Sequence, residues 1–145
     1  KKKFSDQDIV IGYNELNSIL NNTECHPYYF QMLCHVLWEL CMDSRMITED
    51  DIGKAVDILI SRESSVYIAI WEELTIKQKN LMVALAKEEC PEVFSKKFLE
   101  TYGLGPSSSI QKALKRLLRK ELIQQENGSY IIYDLFFKKW IRRTW

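Results

Sequence analysis

Apolar residues recur every three or four positions along most of the chain, so it reads as predominantly helical. Ser5 and Asp8 have the spacing of a capping box ahead of Ile9, Tyr13, Leu16 and Leu20, which predicts a first helix. Asn21-Asn22-Thr23 makes a polar break. Pro27 then suits the first turn of a second helix, running to about Met42 through Tyr29, Leu33, Val36, Leu37 and Leu40. Apolar residues cover most of its circumference, which places it at the centre of a first core with Trp38 and the two tyrosines packed on neighbours. Thr48 and Asp51 predict the cap of a third helix, from Ile52 to about Ile60. Arg62-Glu63-Ser64-Ser65 interrupts the pattern before a fourth helix through Val66, Ile70 and Trp71.

Beyond Leu74 the pattern changes. Thr75 and Gln78 form a further capping box, and Leu81, Met82, Leu85 and Ala86 give the next helix one apolar stripe, which Pro91 terminates. Ser95 to Tyr102 is a short second helix, and Gly103-Leu104-Gly105-Pro106 a tight turn. Ser108 and Gln111 open a third helix to about Lys120. Leu122–Glu126 and Ser129–Tyr133 flank Asn127-Gly128, a strong hairpin signal because a type I′ turn needs positive φ at both central residues. A final helix carries Phe136, Phe137, Trp140 and Ile141. Three helices followed by a two-stranded wing predict a winged helix. The expected fold is therefore mainly α, with a helical lid-type bundle at 1–74 and a winged-helix domain, helix-turn-helix plus β-hairpin, at 75–145.

Charge separates the same two segments. Up to Leu74 there are 6 Lys/Arg against 13 Asp/Glu, and from Thr75 onward 14 against 7, so a net charge of zero hides halves of −7 and +7. Such asymmetry points to different partners for the two halves and makes the second the candidate for nucleic acid. At 100° per residue, Ile110, Leu114, Leu117, Leu118 and Glu121 share one side of the third helix of the basic half. Ser108, Lys112, Lys115 and Arg119 share the other, with Arg116 and Ser109 beside them. In a helix-turn-helix the outer face of this helix enters the major groove, so Ser108, Lys112, Lys115, Arg116 and Arg119 are the candidate contacts to double-stranded DNA. The stretch from Gly103 to Lys120 holds no acidic residue. The wing tip, Glu126-Asn127-Gly128-Ser129, holds no cation, which argues against a wing seated in the minor groove. A charged helix face also serves solubility, and Glu126 and Trp145 suit a surface for a protein partner, so protein contact stands as the alternative.

Other chemistry finds little support. The four cysteines, Cys25, Cys34, Cys41 and Cys90, lack metal-ligand spacing and a disulfide-rich context, which predicts reduced thiols, a cytoplasmic setting and no metal site. His26 and His35 stand near no nucleophile arrangement, His35 being read as a partly buried helix residue. The acidic pairs Asp50-Asp51 and Glu72-Glu73 read as solvated helix starts and faces. The five glycines do not form a P-loop, so no cofactor and no catalysis are expected of this chain by itself. No apolar run approaches the ~20 residues of a membrane span. Lys1-Lys2-Lys3-Phe4 looks like an interior cut or a solvated edge.

Thr23-Glu24-Cys25-His26-Pro27-Tyr28-Tyr29-Phe30-Gln31-Met32-Leu33 resembles the T-G-G-H-P-Y-Y-L-Q-L-L stretch that opens a lid helix in prokaryotic AAA+/STAND-type P-loop ATPases. Ile47-Thr48-Glu49-Asp50-Asp51-Ile52 resembles the next helix start. Ile70 to Thr75, Ser108 to Leu122, and Tyr130 to Ile141 with its Asp134-Leu135-Phe136-Phe137 and Trp140 resemble the winged helix that follows the lid. The resemblance implies the C-terminal part of a larger ATPase, with an upstream P-loop domain as partner and ATP with Mg bound there. In that family a Gly-x-Pro element touches the nucleotide. Cys25-His26-Pro27 stands at its place, which makes His26 and Pro27 the nucleotide-sensing candidates, with the first glycine replaced.

Overall fold

A computed structural model describes residues 9–89 and 91–145. The capping box expected at Ser5 and Asp8 and the thiol of Cys90 lie outside them. The chain divides into two compact units, one up to Glu63 and the other from Ser64 on.

Among the described residues of the first unit the helices are α1, Tyr13–Asn22, α2, Pro27–Cys41, and the beginning of α3, Glu49–Glu72. Ile9 is buried but is not helical. The Val10 amide donates to the Arg45 carbonyl (2.9 Å) and the Ile47 amide to that of Val10 (3.2 Å), a parallel bridge that holds this segment extended. The expected first helix therefore starts later, at an N-cap, Gly12, that has no side-chain acceptor. Asn21 and Asn22 end this helix rather than break it. The turn comes after Thr23, whose buried hydroxyl donates to the Ile19 carbonyl at 2.8 Å. Glu24 and Cys25 follow with φ of 47° and 56°, and the Cys25 amide returns to the Leu20 carbonyl (3.0 Å).

A left-handed residue other than glycine stores roughly 1–3 kcal/mol of strain. Cys25→Gly is expected to relieve most of it and, after the greater entropy loss of glycine on folding, to stabilise the unit by about 1 kcal/mol. A urea unfolding midpoint that stays level or falls would contradict that account.

The second helix buries Leu33, Val36, Leu37 and Cys41, as its apolar character requires, but not its whole circumference. Tyr28 (60% exposed) and Leu40 (41%) face solvent, and Trp38 is half-buried. Among the described residues, the neighbours of this almost all-apolar helix leave part of its apolar surface uncovered. Burial of the Cys34 thiol pushes its pKa up to about 11, and burial with the nearby Asp51 carboxylate raises that of Cys41, so both stay protonated near neutrality.

The predicted third and fourth helices are one. Thr48 and Asp51 form the expected box, the Thr48 amide donating to Asp51 Oδ2 (2.9 Å) and the Asp51 amide to Thr48 Oγ1 (3.3 Å). From there α3 runs unbroken to Glu72. Serine costs an α-helix only a few tenths of a kcal/mol, and Ser64-Ser65 leaves the apolar period in phase from Ile52, Val56 and Ile60 to Tyr67 and Trp71. Tyr67 and Trp71 are the buried residues beyond the serines, whereas Val66 is exposed.

The second unit contains the end of α3, then α4, Ile76–Lys87, α5, Lys96–Thr101, α6, Ser107–Arg119, the hairpin β1, Ile123–Glu126, with β2, Ser129–Ile132, and α7, Leu135–Thr144. Three of the local signals act as expected. Thr75 and Gln78 complete the capping box of α4, Ser95 caps α5, and Asn127-Gly128 turns the hairpin with φ of 50° and 82°. Ile123 pairs with Ile132 and Glu126 with Ser129 across the antiparallel wing. Asp134 Oδ1 accepts from the amides of Phe136 (2.8 Å) and Phe137 (3.0 Å), which starts α7.

The core of this unit lies around α4, which packs against α6, α7 and β2. Leu81, Met82, Leu85, Ile110, Leu114, Leu117, Ile123, Phe136, Phe137 and Ile141 are all buried. Helix α6 ends at Arg119, so Glu121 is not on its apolar side. It stands in the left-handed region at φ 56° while the Leu122 amide bonds back to the Leu117 carbonyl (3.1 Å), closing a Schellman-type terminus. Among the described residues no helix is long and apolar enough to cross a membrane.

Candidate nucleic-acid interface

The helix-turn-helix is made by α5, the turn Gly103–Pro106 and α6. Leu104 anchors the turn, with its side chain buried and its amide donating to the Leu99 carbonyl (2.9 Å), between Gly103 and Gly105 at φ of 59° and 74°. Positive φ at both positions is the local reason for two glycines here. The helix that leaves this turn is strongly two-faced. Ile110, Ala113, Leu114 and Leu117 are buried, while Ser108, Lys112, Lys115, Arg116 and Arg119 are all exposed, on the face opposite the core.

No carboxylate pairs with Lys112, Lys115, Arg116 or Arg119 among the described residues. The next cation, Lys120, behaves otherwise, with Nζ held 3.0 Å from Glu73 Oε2. The four cations thus present unneutralised charge on a rigid element, which a polyanion could take up without first breaking an ion pair.

Two details depart from the sequence reading. Ser108 does not cap the helix, since Pro106 occupies the N-cap and no side chain accepts there. The first turn is instead tied through Ser109, whose Oγ accepts a hydrogen bond from Lys77 Nζ of α4. Lys77, Ser109, Lys112 and Arg116, with Thr75, Gln78 and Ala113, line a cleft of about 170 Å³. Sequence reasoning passed over Lys77, because no spacing rule links it to a helix 32 residues later.

Of the cations near the C-terminus, Arg142 is engaged within the fold, its Nε donating to the Ala86 carbonyl at the end of α4. Lys87 donates to the Trp145 carbonyl (2.9 Å). Trp140 and Trp145 pack edge-on against Trp71, with ring centroids 6.0 and 5.3 Å away, although Trp145 stays 50% exposed. The wing tip, Glu126 to Gly128, is exposed and cation-free.

The nucleotide-sensing candidates belong to the first unit. His26 is the N-cap of α2, its Nδ1 accepting from the Tyr28 amide (3.3 Å), and Pro27 fills the first helical position. That gives both residues a local structural role. His35 is exposed rather than partly buried, 3.3 Å from Glu39 and stacked on Trp38. Among the described residues no three His, Cys, Asp or Glu side chains gather in a metal-binding arrangement.

Residues 65–143 match a protein family described as a probable winged helix domain. No curated protein and no solved structure matches the chain.

Proposed function

The chain belongs to the probable winged helix domain family, and from this we propose that its second unit binds double-stranded DNA through the outer face of α6. The observation that carries the proposal is the unpaired cationic stripe Lys112, Lys115, Arg116 and Arg119 opposite a fully buried face. Hydroxyls at the helix start followed by Lys and Arg suit phosphate and base-edge contacts from a helix lying in the major groove. Fluorescence anisotropy with duplex DNA at low and moderate salt tests it. Binding that weakens steeply with salt, and weakens again in Lys112→Glu with Arg116→Glu, is the expected result. Absence of binding at both salt concentrations, or indifference to the double substitution, would refute it.

We further propose that the chain is the lid and winged helix of a larger AAA+/STAND-type ATPase, non-catalytic in itself, whose nucleotide state governs DNA binding. Besides the motifs, the backbone at Glu24 and Cys25 supports this reading. Both are left-handed at the positions where the resembled motif has two glycines. ATP and Mg would be held by the upstream domain, and from this chain His26 and Pro27 stand nearest the motif. With Nδ1 occupied in capping, His26 has Nε2 for any nucleotide contact. A P-loop encoded within roughly 250 residues upstream would support the assignment.

Contact with a protein, whether the ATPase domain itself or another partner, is the second reading. The cation-free wing tip and the half-exposed Trp145 favour it. Capture of the chain by its own ATPase domain in competition with DNA would separate the two.

A further inference from the structure

We propose that the cleft between the start of α4 and α6 is a phosphate-binding subsite in which Lys77, Ser109, Lys112 and Arg116 hold one backbone phosphate of the DNA. The source of that phosphate rests on the DNA reading above, whereas the anion site rests on the cleft itself. Lys77 Nζ reaches the Ser109 hydroxyl in the first turn of α6, and a Cβ at Gly105 would stand 3.9 Å from the same ammonium. The ammonium is therefore held at the N-terminal end of a 13-residue helix, the end that already carries positive potential and has no side-chain acceptor in its cap.

A cation gains nothing electrostatically from that position unless an anion joins it. Lys112 and Arg116, four residues apart and of like charge, border the same opening. None of the three cations has a carboxylate partner among the described residues. Ser109 adds a hydroxyl to the lining, whereas that of Thr75 is taken up in the capping box, where it donates to Gln78 Oε1. Three cations that border one opening, with the Ser109 hydroxyl beside them, form a donor set from which a phosphate can accept while it neutralises their repulsion. The cleft is partly open to solvent, which suits a phosphate presented by a polymer backbone.

The test uses the whole chain in two arms. In the first, 15N-labelled protein is titrated with inorganic phosphate and its amide signals are followed. Shifts are expected around Lys77, Gln78, Ser109 and Lys112, and are expected to vanish in Lys77→Gln. In the second, duplex DNA binding is measured against salt. Each phosphate contact contributes about 0.9 to the slope of log affinity on log salt, so Lys77→Gln is expected to lower the slope by about that amount and the affinity about eightfold at ~0.1 M salt. Lys54→Gln, in the first unit, is expected to change neither.

A Lys77 that merely fixes α6 would act through Ser109 alone. Ser109→Ala and Lys77→Gln would then have equal effects with the slope unchanged, and the subsite would be refuted. DNA binding with an unaltered slope in Lys77→Gln, without phosphate shifts, overturns the subsite and leaves the DNA reading intact. Phosphate shifts at the cleft without any DNA binding uphold the anion site and overturn the DNA reading instead.

Discussion

Replacing Phe137 by alanine is expected to destabilise the second unit by about 4 kcal/mol, within the range for truncating a buried aromatic side chain. Phe137 is 2% exposed, with its ring 5.1 Å from that of Tyr67 and 5.8 Å from that of Trp140. It lies on α7, one of the elements packed against the central α4. Against a stability of roughly 5–15 kcal/mol for a domain, the loss is a large share and corresponds to a melting temperature lower by about 20 °C. Tryptophan fluorescence during thermal unfolding measures it directly, since Trp71 and Trp140 neighbour one another and Trp140 neighbours Phe137. Phe94→Ala, at a residue 47% exposed, is expected to change stability by no more than about 0.5 kcal/mol. A loss at Phe137 no larger than that would remove it from the core.

The contrast between these phenylalanines indicates what the sequence could disclose. Elements set by short-range chemistry are legible: the Thr75–Gln78 box, the Asn127-Gly128 turn, the glycines around Leu104, and Asp134 ahead of Phe136 each fix a few neighbouring residues, and their order specifies a winged helix. Elements decided by competition between distant segments are less so. Ser64-Ser65 reads as a break because serine favours caps and turns, yet a modest propensity penalty does not interrupt a helix whose apolar stripe stays in phase. Ile9 fits a helical period but is drawn into extended backbone by Arg45 and Met46, partners far along the chain.

The same division runs through the candidate interface. The stripe on α6 follows from helical geometry within 13 residues, so it is visible in the sequence. That Lys120 is engaged by Glu73, Arg142 by the end of α4, and that Lys77 joins the cleft, depends on packing between elements. Counting cations in the basic half therefore overstates what a ligand would meet, and reading the stripe of α6 alone overlooks Lys77, which lines the cleft beside it.

Reversing the two cations of the stripe that lie outside the cleft, Lys115→Glu with Arg119→Glu, is expected to weaken duplex DNA binding by more than about 60-fold at ~0.1 M salt. The figure follows from losing two phosphate contacts, each about 0.9 in the salt slope, with repulsion from the new carboxylates adding to it. The slope itself is expected to fall by about 1.8 or more. Both residues are exposed and unpaired among the described residues, so the fold should tolerate the change to within about 0.5 kcal/mol. Lys120→Gln is the informative companion: its ammonium is shared with Glu73, an exposed pair worth no more than about 1 kcal/mol, and its loss is expected to alter DNA affinity by less than about threefold. Equal effects from Lys120→Gln and the double reversal would mean that DNA responds to the net charge of the unit. A large gap between them would mean that it is met by one face of one helix.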